Sequence, residues 1–103
     1  MARVALYCRD LLFGSKVEGA LRAAGHEVTR GEGAADIVVV DLTDPDVPWP
    51  PRGGAPRLGF YSHVDPETRK RAEEAGFDMV VPRSRMNREA ASLVERLAGG
   101  QTP

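Results

Sequence analysis

Asp36-Ile37-Val38-Val39-Val40-Asp41-Leu42-Thr43-Asp44-Pro45 decides the fold. A run of β-branched residues stands between two aspartates, and Asp-Pro closes it. So short an apolar stretch reads as a strand buried on both faces, the habit of a strand inside a parallel sheet. Asp41 then falls at the carboxyl edge of that sheet, where open α/β folds gather their ligand chemistry. Two readings of Asp41 stay open at this point: a functional acid at the strand end, or a loop-entry residue capping a turn.

On the N-terminal side, Arg3-Val4-Ala5-Leu6-Tyr7-Cys8 makes a first strand, ended by Arg9-Asp10. Two helix starts compete after it. Asp10 caps a helix from Leu11, or Ser15-Lys16-Val17-Glu18 forms a capping box. Val17, Ala20, Leu21 and Ala24 recur at helical spacing, and Gly25 stops the helix. His26 to Arg30 is a short second strand, with His26 at its entry expected to be solvated. Only Gly31 to Ala35 lead from there to Asp36, and five such residues span roughly 17 Å when extended. A parallel crossover normally takes a dozen or more residues, usually a helix. Either the second strand is very short, or the chain returns as a bare extended loop.

On the C-terminal side, residues 43–56 hold Pro45, Pro48, Pro50, Pro51 and Pro56 with Gly53 and Gly54, a composition that rejects a regular helix. The segment carries Trp49 and reads as an ordered lid over sheet surface, or alternatively as a polyproline stretch for a partner. Arg57 to Tyr61 is the fourth strand, followed by Ser62-His63. Asp65-Pro66-Glu67 opens a helix with aspartate at the cap and proline in the first turn. The pairs Glu67/Arg71, Arg69/Glu73 and Lys70/Glu74 make its outer face solvated and internally paired. Gly76 ends it. Asp78 to Pro82 is the fifth strand. Met86, Ala90, Leu93 and Leu97 form the core stripe of a last helix starting near Asn87. Residues 100–103 read as a disordered tail. Strands separated by helical patterns imply a parallel sheet in one three-layer α/β domain over residues 1–99.

Composition excludes several classes. Fourteen basic residues against fifteen acidic ones leave a net charge of −1, so no bulk electrostatic case exists for nucleic acid or an anionic membrane surface. No apolar run reaches the length of a membrane span, and no signal peptide is read, so the expected location is cytoplasmic. The single cysteine rules out an internal disulfide and suits a reducing compartment.

With these elements in order, the chain resembles a response-regulator receiver domain, the flavodoxin-like fold with strand order 2-1-3-4-5. Ala35 to Pro45 is similar to the family's third strand, phosphoacceptor aspartate and following proline. Ser62 after strand four, Glu74-Ala75-Gly76-Phe77-Asp78 and Gly25-His26-Glu27-Val28 match as well. The resemblance implies Asp41 as the phosphoacceptor position and Ser62 as the hydroxyl position. It also implies an acidic pair after strand one to hold Mg²⁺, and that pair falls on Cys8 and Arg9, with only Asp10 nearby. Mg²⁺ takes hard oxygen ligands, which neither a thiol nor a guanidinium supplies. The family's lysine falls on Arg83, its next proline on Ser84 and its aromatic switch position on Val80. Arg9 and Arg83 are expected to approach Asp41, since a guanidinium pairs a carboxylate bidentately; the alternative is that both point to solvent.

Other chemistries compete with that one. Cys8 at a strand end before a helix invites a lowered thiol pKa, and it resembles the phosphocysteine of sugar-phosphotransferase IIB components. Arg9-Asp10-Leu11-Leu12-Phe13 departs from their glycine-containing phosphate loop. A phosphatase-type loop fails because Gly14, not arginine, stands six residues after Cys8. Gly14-Ser15-Lys16 lacks the upstream glycine of a P-loop. A packed, inert Cys8 is the competing reading. A third possibility is a small-anion site built from Arg9, Ser62, His63, Arg83 and Arg85.

The sequence therefore leads to a stand-alone, non-enzymatic, receiver-like signalling or protein-interaction module. Its Mg²⁺-dependent aspartyl phosphotransfer is lost, no cofactor or metal is expected, and its protein partner is unidentified. With three helices, one sheet face is thinly covered beside Val38, Val40 and strand two. Trp49 is then expected to be largely buried, with a homodimer through the thin face.

Overall fold

A computed structural model describes residues 2–31, 33–51, 53–62 and 65–99. The chain runs β1 (Arg3–Tyr7), α1 (Leu11–Ala23), β2 (Glu27–Arg30), β3 (Ile37–Asp41), β4 (Arg57–Tyr61), α2 (Pro66–Glu74), β5 (Met79–Pro82) and α3 (Arg83–Ala98). All strand pairs are parallel, in the order β2-β1-β3-β4-β5. This is the five-stranded flavodoxin-like sheet with three helices. The tail at 100–103 lies outside the described residues.

Asp10 wins the contest for the first helix. Its Oδ1 accepts the Phe13 amide at 2.9 Å, so the helix begins at Leu11 and Ser15 lies inside it. The competing box loses because its glutamate is engaged elsewhere: Glu18 accepts from Arg22 and from Arg30. Asp65 caps α2 as expected, accepting the Thr68 amide. The last helix starts at Arg83, earlier than the expected Asn87, and bends at Glu89 (φ −128°, ψ 22°) where neither proline nor glycine stands.

One face of the sheet is covered by α1 and α3. Val4, Leu6, Val28, Ile37, Val39, Leu58, Phe60 and Val81 point into it from the strands. Phe13, Val17 and Leu21 of α1 meet them with Met86, Ala90, Leu93, Val94 and Leu97 of α3. On the other face, α2 contributes Ala72, and the segment after β3 supplies Leu42, Val47 and Trp49 against Val40, Tyr61 and Phe77. Residues 42–50 thus pack as a strap. Leu42 sits where a Cβ on Gly59 would come within 2.5 Å, so the strap seats only because β4 carries glycine there. Trp49 meets Phe77 edge-on at 5.4 Å and lies beneath the Arg71 guanidinium. It is partly buried against this cluster, with the Arg71 guanidinium over its outer face.

Buried Arg57 ties this region together. It donates to the Pro50 carbonyl at 2.8 Å and the Ala75 carbonyl at 2.6 Å, and its guanidinium stacks on Phe77. The bare return to β3 holds: β2 is four residues long and leads through Gly31 (φ 85°), a left-handed position that favours glycine, directly back across β1. The thin strip beside β2 is more polar than expected, since Glu27 and Thr29 are exposed there. Val40 is buried, and Val38, Tyr7 and Val80 are partly covered. His26, expected to be solvated, is 7 % exposed. Its Nδ1 accepts the Ala2 amide at 3.0 Å and its Nε2 lies 3.1 Å from Glu95. Its short link from Gly25 turns it under the end of β1.

Candidate functional site

The carboxyl ends of β1 and β3 bring Cys8, Arg9, Asp10 and Asp41 to one sheet edge, and α3 adds Arg83. With Thr43, Asp44 and Asp46, four of these (all but Cys8) line an open cleft of about 450 Å³. Asp41 is 3 % exposed at its floor. Its Oδ1 accepts the Thr43 amide at 3.0 Å, a local turn of the kind aspartate forms readily. Its Oδ2 faces Cys8 Sγ at 3.9 Å. Burial pushes the Asp41 carboxyl above the usual range, with the Thr43 amide and the Arg83 charge pulling partly the other way. Cys8 responds in the same sense: burial raises its thiol pKa, and the neighbouring Asp41 charge adds to the rise. A thiol so placed is held in its protonated form, the reverse of an activated nucleophile.

The arginines choose other partners than Asp41. Arg9 reaches across the cleft to Asp46 at 2.7 Å and Asp44 at 3.7 Å. Arg83 binds Asp10 Oδ2 at 2.5 Å and lies over the Phe13 ring at 4.2 Å. Asp10 is doubly engaged, and the Phe13 amide and the Arg83 guanidinium hold its carboxyl below the usual range. The expected Arg9–Asp41 and Arg83–Asp41 pairs are therefore absent: the exposed aspartates accept the guanidinium groups without the desolvation that pairing at the buried Asp41 would impose.

Ser62 is linked to the site by its backbone. Its amide donates to Thr43 Oγ1 at 2.9 Å, and its side chain borders a neighbouring groove. Arg85 pairs with Glu89 on α3, outside the cleft. His63 lies outside the described residues. Sequence reasoning missed Thr43, Asp44 and Asp46 as members of the site. Their signal was present in Thr43-Asp44-Pro45-Asp46, a turn-forming acidic cluster just after Asp41 that supplies the counter-charge for Arg9.

This geometry is that of a familiar architecture. The fold matches a CheY-like receiver domain from Methanospirillum hungatei JF-1 with a TM-score of 0.80 and 14% identity, covering 98% of this chain and 96% of that one. A receiver protein from Burkholderia phymatum gives 0.78 and 16%, covering 100% and 99%. The non-phosphorylated HemR receiver domain from Leptospira biflexa gives 0.75 and 21%, covering 100% and 98%. No protein-family model and no curated protein sequence matches the chain. The chain thus has the fold of response-regulator receiver domains, and the Asp41 cleft occupies the carboxyl edge of its sheet. Among the described residues no helix is long and apolar enough to cross a membrane.

Proposed function

We propose that this chain is a receiver-fold signalling module that acts by binding a protein partner, without enzymatic activity and without Mg²⁺-dependent phosphotransfer at Asp41. The observation that carries the reading is the pairing pattern around the cleft: Arg9 bridges Asp44 and Asp46, while Asp10 is shared by Arg83 and the Phe13 amide. A divalent ion here would need several free oxygen ligands. The carboxylates near Asp41 already hold cations, and a thiol and a guanidinium stand at the two positions after β1. Among the described residues no group of three or more His, Cys, Asp or Glu side chains is gathered as a metal site. The donor set does not suit Mg²⁺, so the cleft is a fixed internal charge arrangement.

The other two chemistries find less support. A phosphocysteine role for Cys8 needs a thiolate, which burial and Asp41 disfavour. A small-anion site needs unmatched positive charge. Arg9, Arg83 and Arg85 each have a carboxylate partner, and the cleft holds more aspartates than arginines.

Incubation with acetyl phosphate and Mg²⁺, followed by intact mass measurement, tests the reading. No phosphoryl adduct is expected on the wild-type chain, and Mg²⁺ at low millimolar concentration should leave the Leu11, Thr43 and Asp44 amide resonances unmoved. The Cys8→Asp/Arg9→Asp double variant should acquire saturable Mg²⁺ shifts at those amides. A phosphoryl adduct removed by Asp41→Ala in the otherwise native chain overturns the proposal.

A further inference from the structure

At the end of the strap, Val47-Pro48-Trp49-Pro50-Pro51 forms neither helix nor strand, yet local sterics fix most of its backbone. Each proline locks φ at about −65° and lacks a backbone N–H. The residue before a proline is pushed to extended or polyproline geometry, which here holds Val47, Trp49 and Pro50. A polyproline II segment repeats every three residues, so Val47 and Pro50 share one ridge and Pro48 and Pro51 another. The burial follows that period. Val47 is 5% exposed in the cluster with Leu42 and Phe77, and Arg57 holds the Pro50 carbonyl at 2.8 Å. Pro48 and Pro51 are exposed. Trp49, on the third ridge, is partly buried and meets Phe77 edge-on.

We propose that the ridge of Pro48 and Pro51 is a preformed ligand for a protein partner that reads polyproline II segments through a groove of aromatic side chains. The proposal rests on reading the chain as an interaction module and names the kind of partner; it uses nothing of the chemistry at Asp41. At about 3.1 Å per residue, the two proline rings stand about 9 Å apart along the ridge. Slots between aromatic rings hold such prolines by flat apolar contact, and a proline brings no N–H that the slot would strip of water. A free proline-rich peptide gives up backbone freedom when it docks. This ridge gives up little, because Val47, Trp49 and the Pro50 carbonyl are already anchored on the fold. A second copy of the chain fits less well. Phe13, Phe60, Tyr61 and Phe77 are buried and Tyr7 and Trp49 are only partly exposed, so no aromatic pair stands out to clasp a ridge.

The test uses the full chain labelled with ¹⁵N and, as probe, an isolated WW domain, whose aromatic groove takes proline-rich segments. Its control is the same domain with the groove tryptophan replaced by alanine. The intact probe is expected to shift the Val47 and Trp49 amides, the Trp49 indole and the Gly53 and Gly54 amides. The dissociation constant should be on the order of 100 µM, as befits a contact of two rings. The control domain should leave these resonances in place, and an excess of free proline-rich peptide should return them to their starting positions. Pro48→Ala/Pro51→Ala should weaken the binding at least about tenfold, whereas Pro50→Ala, on the inner ridge, should weaken it less than about threefold. The peptide displacement needs no variant, so it decides the question even if the alanine substitutions unseat the strap. Absence of shifts at millimolar probe, shifts on another face, binding that survives in the control domain, or equal losses in the two alanine variants overturns the proposal. So does a concentration-dependent dimer that Pro48→Ala/Pro51→Ala abolishes. Capture of a partner by another face would defeat the ridge and leave the interaction-module reading standing. A phosphoryl adduct on Asp41 would defeat the reading of the cleft and leave these outcomes untouched.

Discussion

The two faces of the sheet are closed by different physics. On the α1/α3 side, aliphatic side chains from two helices interlock with five strands, and Leu21, Met86 and Leu93 are fully buried. On the other side a nine-residue helix and a proline-rich strap cover fewer residues, and cations on aromatic rings supplement the apolar contact. A helix satisfies its own backbone and so covers a sheet with little outside help. A strap cannot, and its carbonyls must find partners elsewhere. Arg57 supplies one, bonding Pro50 while it bonds Ala75. A short connection can therefore replace a helix in this architecture, provided that a buried polar side chain serves the stranded backbone groups.

The sharpest way to break this comparison is to truncate one anchor on each face. Leu93→Ala is expected to cost about 2–5 kcal/mol, the range for a fully buried leucine. Trp49→Ala should cost about 2 kcal/mol despite the larger side chain, because the ring is only partly buried. Urea unfolding of both variants measures the gap, and equal losses would mean that the strap face is packed as firmly as the helical one.

A smaller effect sharpens the account of how the strap seats. Gly59→Ala places a Cβ within 2.5 Å of the Leu42 side chain. Overpacking of that kind costs about 1–3 kcal/mol, partly offset by the stiffer unfolded chain. The double variant Gly59→Ala/Leu42→Ala should lose less than the sum of its parts, since the alanine at 59 then has space. Additive losses would show that Leu42 is not what β4 makes room for.

The smallest effect concerns Asp41 and Asp10, aspartates of one cleft with opposite shifts. Burial raises the Asp41 pKa above its unfolded value. In the window above the ordinary carboxylate value the folded state binds more protons at that group than the unfolded state. Stability therefore falls as pH rises through the window. Asp41→Asn should remove this loss, keep the acceptor for the Thr43 amide, and raise the melting temperature at pH 7 but not at pH 3. Asp10 is depressed by the Phe13 amide and Arg83, so its contribution is present above the unfolded value and disappears as pH falls through the folded one. Asp10→Asn should accordingly destabilise at pH 7 and be neutral in acid. Melting curves of both variants across pH decide whether the two shifts have these signs.

Much of this molecule was legible in the chain by itself. The β-branched run before Asp41, the glycine stops at Gly25 and Gly76 and the Asp-Pro start of α2 report local preferences, and local preferences survive folding. The same holds for Met86, Ala90, Leu93 and Leu97, whose spacing already defines the buried stripe of α3. What tertiary structure alone decided is who meets whom across the fold. Arg9 and Arg83 had several carboxylates within reach in sequence terms, and the fold gave them Asp46 and Asp10 nearer the surface, because burying a guanidinium at Asp41 would cost it more in lost water than the pairing returns. His26 is polar and sits at a strand entry, yet an amide from the chain start and a glutamate from the last helix converge on it and permit its burial. Trp49 was legible as a cover, but the Arg71 guanidinium that arrives over its outer face from α2 was not. Sequence spacing carries periodicity and turn chemistry; the partners of charged and buried polar groups depend on desolvation and on distances that only the closed sheet and its packed helices set.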